Sequence, residues 1–183
     1  MSDPGYPYQE TDDLRHGPDL HPALRALLPL VGRWRGTGKG GYPTIEDFDY
    51  AQEVRFSHDG RPFLCYESRA WIIDDQGQPV RPSAREVGWW RPQPKSEASD
   101  GDDLEVLLTH PTGFVEVYYG RVTGTRIEMA TDALVRTASA KKVTANRRLY
   151  GIVEGDLMYA IDMAAMGHPL TPHLSARLVR IAG

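Results

Sequence analysis

The order of apolar and polar positions along the chain predicts β-strands over most of its length. Short runs rich in Val, Ile, Tyr, Phe and Trp are separated by polar turns such as Asp74-Asp75-Gln76-Gly77 and Glu154-Gly155-Asp156. Ten or eleven antiparallel strands at such short spacing are typical of a barrel or a sandwich. The first begins at Gly32, and the others are predicted at residues 48–56, 63–73, 85–90, 104–109, 114–122, 126–131, 134–139, 147–153, 157–164 and 174–181.

One segment ahead of the strands has a helical pattern instead. Leu24, Leu27 and Leu28 recur at helical spacing. Pro22 suits a first helical turn, and Pro29 ends the helix because a proline cannot continue the hydrogen-bond pattern. We therefore expect a short helix at residues 22–29 that covers one end of the strands.

The remaining segments indicate a single domain. Residues 1–20 lack periodicity and are rich in Pro, Gly, Asp and Tyr, which predicts a flexible tail. Residues 92–103 are acidic and poor in apolar side chains, and we expect them to form a flexible surface loop within one hairpin. Because the sequence has no internal repeat, we predict one domain over residues 21–183.

Composition narrows the classes of function. A formal net charge of −4 and a pI near 5.8 disfavour a nucleic-acid-binding surface. The nearest basic cluster, Lys141-Lys142 with Arg147-Arg148, is predicted to be a solvated strand face. The single cysteine, Cys65, is predicted to be a small buried hydrophobe and fits a reducing cytoplasm. Since the sequence shows neither a signal-peptide pattern nor an apolar run of roughly 20 residues, we expect a cytoplasmic protein without a membrane segment.

Familiar catalytic motifs are missing from the sequence, which leaves the histidines as candidates. There is no Gly-x-Ser-x-Gly, P-loop, His-Glu-x-x-His or Cys-x-x-Cys. His168 and His173 differ from the other histidines because Pro169 and Pro172 fix the connector in which they stand. The four that we predict to be solvated loop residues are His16, His21, His58 and His110.

Three glycines in the first strand are the most informative feature. Gly36, Gly38 and Gly40 share one face because side chains alternate along a strand. Glycine inside a strand usually marks a sharp bend or the close approach of a ligand or another backbone. We predict that the three glycines clear space beside a bulky group. The alternative is a glycine-rich hairpin without any role in ligand binding.

Two segments resemble one known family. Residues 32–45 match the nitrobindin signature Gly-x-Trp-x-Gly-x-Gly-x-Gly-x-Tyr-Pro-Thr-Ile at every fixed position. Nitrobindins are small β-barrels that bind haem b. Residues 169–178 resemble the Pro-Leu-x-x-His-Leu-x-Ala-x-Leu segment that supplies their proximal ligand. The likeness extends over residues 27–180, and it implies a ten-stranded antiparallel barrel similar to the lipocalin and fatty-acid-binding barrels.

The resemblance also implies the roles of particular residues. His173 corresponds to the axial ligand of a single haem b per chain, and is therefore the expected metal-binding and catalytic residue, whereas His168 lies one loop too early. Thr44 corresponds to a threonine that lies against the haem. The Lys141 ammonium is expected to pair with a propionate, and the alternative for Lys141 is an ordinary exposed lysine. The remaining residues expected to contact the cofactor are Gly36, Gly38 and Gly40.

The pattern of the last strand argues against this role for His173. Strict alternation places His173 on the face of Ser175 and Arg177, opposite Leu174 and Ala176. If the apolar face points into the barrel, His173 points out. A β-bulge at the start of the strand would turn it inward, and the sequence leaves both orientations open.

The function implied by the resemblance is haem-dependent. The ferric form is expected to isomerise peroxynitrite to nitrate and the ferrous form to bind nitric oxide, in detoxification or in sensing. No acid or base is evident for the other side of the haem, which disfavours a peroxidase-like proton shuttle. The main alternative is a non-enzymatic carrier of a fatty acid or another apolar ligand, with Arg177 and Tyr159 holding the carboxylate. A module that reports nitric oxide to a partner is a further alternative, and a homodimer is compatible with all three.

Overall fold

The structure is a closed antiparallel β-barrel. It is a computed structural model that describes residue 5, residues 7–93 and residues 101–183. Ten strands pair in chain order, and β1 closes the barrel by pairing with β10, so the predicted ten-stranded barrel is confirmed. The strands are β1 (Gly32–Tyr42), β2 (Ile45–Ser57), β3 (Leu64–Ile73), β4 (Pro79–Gln93), β5 (Asp102–His110), β6 (Phe114–Thr123), β7 (Arg126–Arg136), β8 (Val143–Val153), β9 (Asp156–Ala165) and β10 (Thr171–Ala182).

Most strands extend beyond their predicted bounds, β4 most of all, since it begins at Pro79 and not at residue 85. Two further differences change an element or a loop. The segments predicted at 126–131 and 134–139 form one strand, β7, because a bulge leaves Asp132 outside the pairing with β6. The bulge interrupts the alternation without ending the strand. The loop predicted at 92–103 is shorter, since β4 continues through Gln93 and β5 begins at Asp102. The flexibility predicted for its centre falls on residues 94–100, outside the described residues.

The helix expected at residues 22–29 is present as a 3₁₀ helix over Pro22–Leu30. Its buried residues are Leu24, Leu27 and Leu30, whereas Leu28, which shares the helical spacing of Leu24 and Leu27 in the sequence, is 43% exposed. The reason is that a 3₁₀ helix has three residues per turn, so every third side chain faces the barrel. The helix packs against β4 and β6.

The interior near this helix is filled by large apolar side chains. Trp34 is fully buried, its Nε1–H donates to the carbonyl oxygen of Leu30 at 2.8 Å, and the Arg180 guanidinium lies 4.1 Å from its ring centroid. Phe56 and Trp90, both fully buried, pack edge to face with 5.1 Å between ring centroids. Such aromatic packing stabilises the closed end of the barrel by excluding water from a large apolar area.

The N-terminal segment contacts the barrel. Thr11 and His58 exchange two backbone hydrogen bonds, at 2.8 and 2.9 Å, and Asp12 forms ion pairs with Arg33 and Arg55 at 2.6 and 2.7 Å. These contacts cover His58, which is fully buried, so the prediction that it is a solvated loop residue is wrong. The flexibility expected for residues 1–20 stays a prediction.

Two further properties concern the class of protein. Within the described residues, no helix has the length and apolar character needed to cross a bilayer. Cys65 is a free, half-buried thiol, and burial raises its pKa. A raised pKa disfavours a reactive thiol at neutral pH, as predicted, whereas the burial predicted for Cys65 is only partial.

Candidate functional site

His173 lies at the start of β10, where the pairing with β9 is interrupted. Pro172 pairs with Asp162 and Leu174 with Ile161, so His173 has no partner across the ladder. A bulge of this kind changes the direction of a side chain. As a result, His173 and Leu174, which are consecutive, both line the same two cavities. The bulge therefore resolves the conflict between strict alternation and the role implied for His173.

A second irregularity lies directly opposite, at the end of β1. Gly40 pairs with Phe48 and Tyr42 pairs with Ile45, which leaves Gly41 outside the ladder between β1 and β2. The carbonyl oxygen of Gly41 is thereby available to another donor. The Tyr42-Pro43-Thr44-Ile45 corner thus supplies both a turn and a backbone acceptor.

Two contacts orient the imidazole ring of His173. Its Nδ1 lies 2.9 Å from the carbonyl oxygen of Gly41 and, in the neutral tautomer that this acceptor selects, donates to it. The Tyr42 ring stands edge-on, with 5.6 Å between ring centroids, and the Tyr42 hydroxyl accepts from the backbone N–H of Ala165 at 2.9 Å. Burial lowers the pKa of His173, and Nε2 has no hydrogen-bond partner among the described residues. A neutral ring with Nδ1 anchored and Nε2 free is the form that binds metals.

Three cavities border His173, and two of them are also lined by the charged residues Glu86 and Arg148. Of these two, one has a volume of about 470 Å³ and the other of about 750 Å³, and both fall within the roughly 300–1,000 Å³ typical of ligand pockets. His173, Leu174 and Ile161 line both cavities. The smaller one is otherwise mainly apolar, with walls from Tyr42, Phe114, Val143, Met163, Ala165 and Met166.

The structure brings three of the predicted site residues together. Thr44 and Lys141 line the smaller cavity with His173, and Lys141 also borders the larger one. His168 lies in the turn between β9 and β10, where its ring stands 5.8 Å from the Tyr42 centroid, and it is not among the residues lining either cavity. Of the two histidines, only His173 lines the cavities, in agreement with the choice that the sequence motif favours.

The three glycines serve the contact between strands. A Cβ at Gly36 would overlap the backbone of Arg177, and a Cβ at Gly38 would overlap both the Ser175 carbonyl oxygen and the Tyr50 ring. At Gly40 the Phe48 ring occupies the space. The bulky groups for which these glycines clear space are therefore neighbouring strands and aromatic rings. Direct contact of Gly36, Gly38 and Gly40 with a cofactor stays a prediction.

A group of buried charged side chains lies beside these two cavities: Glu86 and Arg148 line both of them, and His110 lines the smaller one. The Arg148 guanidinium donates two hydrogen bonds to the Glu86 carboxylate, at 2.8 and 2.9 Å. His110 Nε2 lies 2.9 Å from Glu116, and its Nδ1 lies 3.7 Å from Glu86. The Phe114 ring stacks on His110 with 3.9 Å between centroids. We call Glu86, His110, Glu116 and Arg148 the charged cluster.

Two predictions are corrected by this cluster. His110 and Arg148, predicted to be solvated, have side chains only 8% and 3% exposed. Arg147 faces outward as predicted, and because consecutive residues of a strand point to opposite faces, alternation along β8 was a signal for Arg148. No local signal marks His110, whose burial depends on Phe114 beyond the turn. The cluster also puts acidic and basic groups beside the cavities, and the expectation that none serves the other side of the haem stays a prediction.

The charges of the cluster are compensated within the protein. Burial opposes ionisation of Glu86, but the Arg148 guanidinium outweighs burial and lowers the pKa of Glu86 to about 2. Burial also opposes ionisation of Glu116, and the hydrogen bond with His110 is the main cause of its lowered pKa. Both carboxyl groups are therefore ionised at neutral pH, and Arg148 is already paired when a ligand enters.

Comparisons with known proteins agree on one family. Residues 23–180 match the family model of the THAP4-like, heme-binding beta-barrel domain. The chain is 65% identical over 178 residues to a peroxynitrite isomerase of Salinispora arenicola, covering 97% of this chain and 90% of that protein. It is 50% identical over 177 residues to a ferric nitrobindin-like protein of Saccharopolyspora erythraea, covering 95% and 81%.

A solved structure shows the same architecture. The crystal structure of Rv2717c from M. tuberculosis matches with a TM-score of 0.75 and 40% identity, over 88% of this chain and 99% of that one. The family likeness inferred from residues 32–45 and 169–178 is confirmed, because the match extends over most of the sequence. The chain belongs to the family of THAP4-like, haem-binding β-barrel domains.

Proposed function

We propose that the protein is a haem-dependent peroxynitrite isomerase that converts peroxynitrite to nitrate in its ferric form. The observation that carries the proposal is the orientation of His173, whose Nδ1 is held by Gly41 while Nε2 is free beside two cavities. Relatives named peroxynitrite isomerase, at 65% and 57% identity, support the reaction.

The residues present fit haem b, bound as a single group per chain. His173 supplies one neutral imidazole, and the apolar wall of the smaller cavity suits a porphyrin. Thr44 would contact the haem, and the Lys141 ammonium would pair with a propionate. When bound, haem b supplies the iron at which the O–O bond of peroxynitrite breaks and the new N–O bond of nitrate forms.

The contribution of the chain is to hold the imidazole and to keep protons away from the reaction. Conversion of the peroxynitrite anion to the nitrate anion consumes no proton overall. The charged cluster suits such a reaction, because its guanidinium is already paired with Glu86 and the Glu116 carboxylate with His110. A reductive, peroxidase-like reaction needs a proton donor that is free to act.

In the carrier alternative, Arg177 was predicted to help hold the ligand carboxylate inside the barrel, and the structure does not place it there. Arg177 points out of the barrel, where its side chain is 52% exposed and pairs with Asp156 at 2.6 Å. The interior arginine is Arg148, and Glu86 already occupies it in the bidentate manner of a ligand carboxylate. A fatty acid would therefore have to displace a carboxylate of the protein itself.

We also propose that the ferrous form binds nitric oxide at the same site and that the protein acts in the cytoplasm as a homodimer. Two rows of mainly apolar side chains, exposed or partly exposed, run across the outside of β4, β5, β6 and β7, and contiguous exposed apolar side chains mark interaction surfaces. The rows, in which neighbours are strand partners, are Trp89, Leu107, Val117 and Ala133, and Val87, Thr109, Val115 and Val135. Size-exclusion chromatography with light scattering should find a dimer that Trp89→Lys dissociates.

The role of His173 is tested by a hemin titration followed at the Soret band. His173→Ala should keep its fold, bind hemin loosely and lose peroxynitrite isomerisation, because it removes the axial bond while the apolar wall remains. Free imidazole should partly restore the spectrum. His168→Ala, the matched control, should behave like the wild type. An unchanged titration for His173→Ala, or a loss confined to His168→Ala, would overturn the assignment.

A further inference from the structure

Five aromatic side chains inside the barrel form a connected series that the proposed isomerisation does not use. The Tyr50 and Tyr159 hydroxyls are 2.6 Å apart. The ring centroids of Tyr159 and Tyr150 are 5.5 Å apart, those of Tyr150 and Trp90 5.2 Å, and those of Trp90 and Tyr66 5.9 Å. All five side chains are buried. We call them the aromatic chain.

The aromatic chain borders the place where an oxidant would appear. Its four tyrosines line the larger cavity together with His173. Burial raises the pKa of Tyr50 to about 12 and that of Tyr66 and Tyr159 well above the usual value, so the phenols are protonated. A protonated phenol gives up an electron readily only if its proton has an acceptor. The proton acceptors therefore determine which aromatic residue carries the radical at the end of electron transfer.

Tyr66 has an acceptor that can take the proton. Its hydroxyl donates to Oε2 of Glu86 at 3.0 Å. Glu86 is ionised, because Arg148 stabilises its carboxylate against the effect of burial. Loss of an electron from Tyr66 can thus be coupled to transfer of the phenolic proton along an existing hydrogen bond.

The other members have no carboxylate as hydrogen-bond acceptor, and the Tyr150 hydroxyl accepts from the Arg148 guanidinium at 3.3 Å. Tyr159 donates to the side-chain amide oxygen of Gln52 at 2.6 Å, and Tyr50 donates to the Tyr159 hydroxyl at 2.6 Å, with a backbone carbonyl oxygen at 3.1 Å; none of these oxygens is a base. The Nε1–H of Trp90 has no hydrogen-bond partner among the described residues. An oxidised Trp90 would keep its proton and regain an electron from a neighbour, so it serves as a relay to Tyr66.

We propose that the aromatic chain gives the protein a second activity, the one-electron reduction of radical oxidants in the larger cavity, with the resulting radical located on Tyr66. The relevant oxidant is nitrogen dioxide, which peroxynitrite releases when its O–O bond breaks homolytically. This source of the oxidant is the only point at which the inference rests on the proposed function.

The step balances in atoms and electrons. Nitrogen dioxide takes one electron from Tyr66 and leaves as nitrite, while the phenolic proton passes to Glu86 and a neutral phenoxyl radical remains. The phenoxyl then takes one hydrogen atom from a small reductant of the ascorbate class, and Glu86 releases its proton to solvent. The net reaction reduces one nitrogen dioxide for each one-electron oxidation of the reductant.

The test supplies nitrogen dioxide directly, by pulse radiolysis of a nitrate solution containing the haem-loaded protein. Freeze-quenched electron paramagnetic resonance detects the phenoxyl, and nitrite is measured in the same samples. We expect a phenoxyl signal with matching nitrite in the wild type, rapid loss of the signal with ascorbate, and no such signal in Tyr66→Phe. Tyr118→Phe is the matched control, because it too removes a buried phenol. The Tyr118 hydroxyl is bonded to Arg148 at 2.9 Å, and Tyr118 lies outside the aromatic chain.

A full signal in Tyr66→Phe, or an equal loss in Tyr118→Phe, would overturn the proposal. If Tyr66→Phe does not fold, nitration of the wild type decides the matter, since a phenoxyl combines with a second nitrogen dioxide. Mass spectrometry should then find the nitro group on Tyr66 before Tyr119, which is 54% exposed; the reverse order would overturn the proposal. Because no peroxynitrite is used, failure of isomerisation would leave this result unaffected.

Discussion

The two ends of the barrel are built in different ways. At the closed end, the 3₁₀ helix and large side chains such as Trp34 and Phe56 fill the interior. At the open end, around His173, two cavities remain, and the walls are held by backbone bulges and by the charged cluster. Packing makes the closed end rigid, whereas hydrogen bonds and ion pairs make the open end rigid without filling it. This division leaves space for a ligand beside an oriented histidine.

The alternation of inward and outward side chains is regular at the closed end of the barrel and is interrupted at the open end. Along the closed half, apolar side chains alternate inward as strands require. At the open end, ladder pairing skips Gly41 and His173, and charged groups such as Glu116 are fully buried. Departures of this kind concentrate where a protein binds or reacts, because a regular strand would direct the functional side chain elsewhere.

The largest expected effect on stability comes from emptying the closed end. Trp34→Ala should lower the free energy of unfolding by about 3–5 kcal/mol, the usual loss for a buried Trp or Phe. It also removes the hydrogen bond to Leu30 and the contact with Arg180. Met163→Ala, which enlarges an existing cavity, should cost less than half as much. Equal losses in urea unfolding would show that the open end is packed as tightly as the closed end.

The next effect concerns the ion pair of the open end. Glu86→Gln leaves the buried Arg148 guanidinium without its carboxylate, and breaking a buried pair costs about 3–5 kcal/mol. The amide can still accept one hydrogen bond, so we expect the lower end of that range. Decanoate should then raise the melting temperature of the variant and leave that of the wild type unchanged, because the ligand carboxylate would take the place of Glu86.

A matched control separates burial from charge. Glu53→Gln removes a carboxylate from the partly exposed pair with Arg35 on the outside of the barrel, where such pairs contribute about 1 kcal/mol or less. If Glu53→Gln and Glu86→Gln lose equal stability, the charged cluster is no more important than a surface pair. A melting curve that decanoate does not move would contradict the carboxylate exchange.

More of the closed end than of the open end could be predicted from the sequence. The strand pattern predicted the strands and a barrel or a sandwich, and the family resemblance indicated the barrel, although the bulge at Asp132 made one strand look like two. The motif predicted His173, and its orientation depended on a bulge that alternation cannot reveal. Glu86 and Arg148 meet although they are 62 positions apart, and no local pattern predicts such a contact. The sequence therefore did not predict which charged residues, distant along the chain, pair inside the barrel.

The glycines of β1 connect the two ends and allow a smaller test. A Cβ at Gly38 would meet the Ser175 carbonyl oxygen and the Tyr50 ring, so Gly38→Ala should cost about 1–3 kcal/mol through overpacking. Gly151→Ala is the matched control, since its Cβ would find only ordinary contacts, with Thr125 at 3.8 Å. It should be neutral or slightly stabilising. Hemin affinity measured in parallel tells whether Gly38 also contacts the cofactor.

The smallest effect is a pH dependence that belongs to the closed half. His58 is fully buried, both ring nitrogens lack hydrogen-bond partners among the described residues, and burial lowers its pKa. The unfolded chain binds a proton at His58 near the usual pKa of about 6.5, but the folded protein resists it. The contribution of His58 to stability is therefore complete above that pH and is lost as the pH falls toward the lowered pKa of the folded state.

His58→Leu should remove this dependence, and it also removes two unpaired polar atoms from the interior. Relative to the wild type, the variant should gain up to about 1.4 kcal/mol for each unit by which the pKa is lowered, once the pH drops below both values. Urea unfolding at about pH 7 and about pH 5 measures the difference, and we expect it to grow toward the acid side. His16→Leu is the matched control, since His16 is 79% exposed. Parallel pH profiles for His58→Leu and the wild type would mean that His58 is solvated in solution and that residues 10–12 do not cover it.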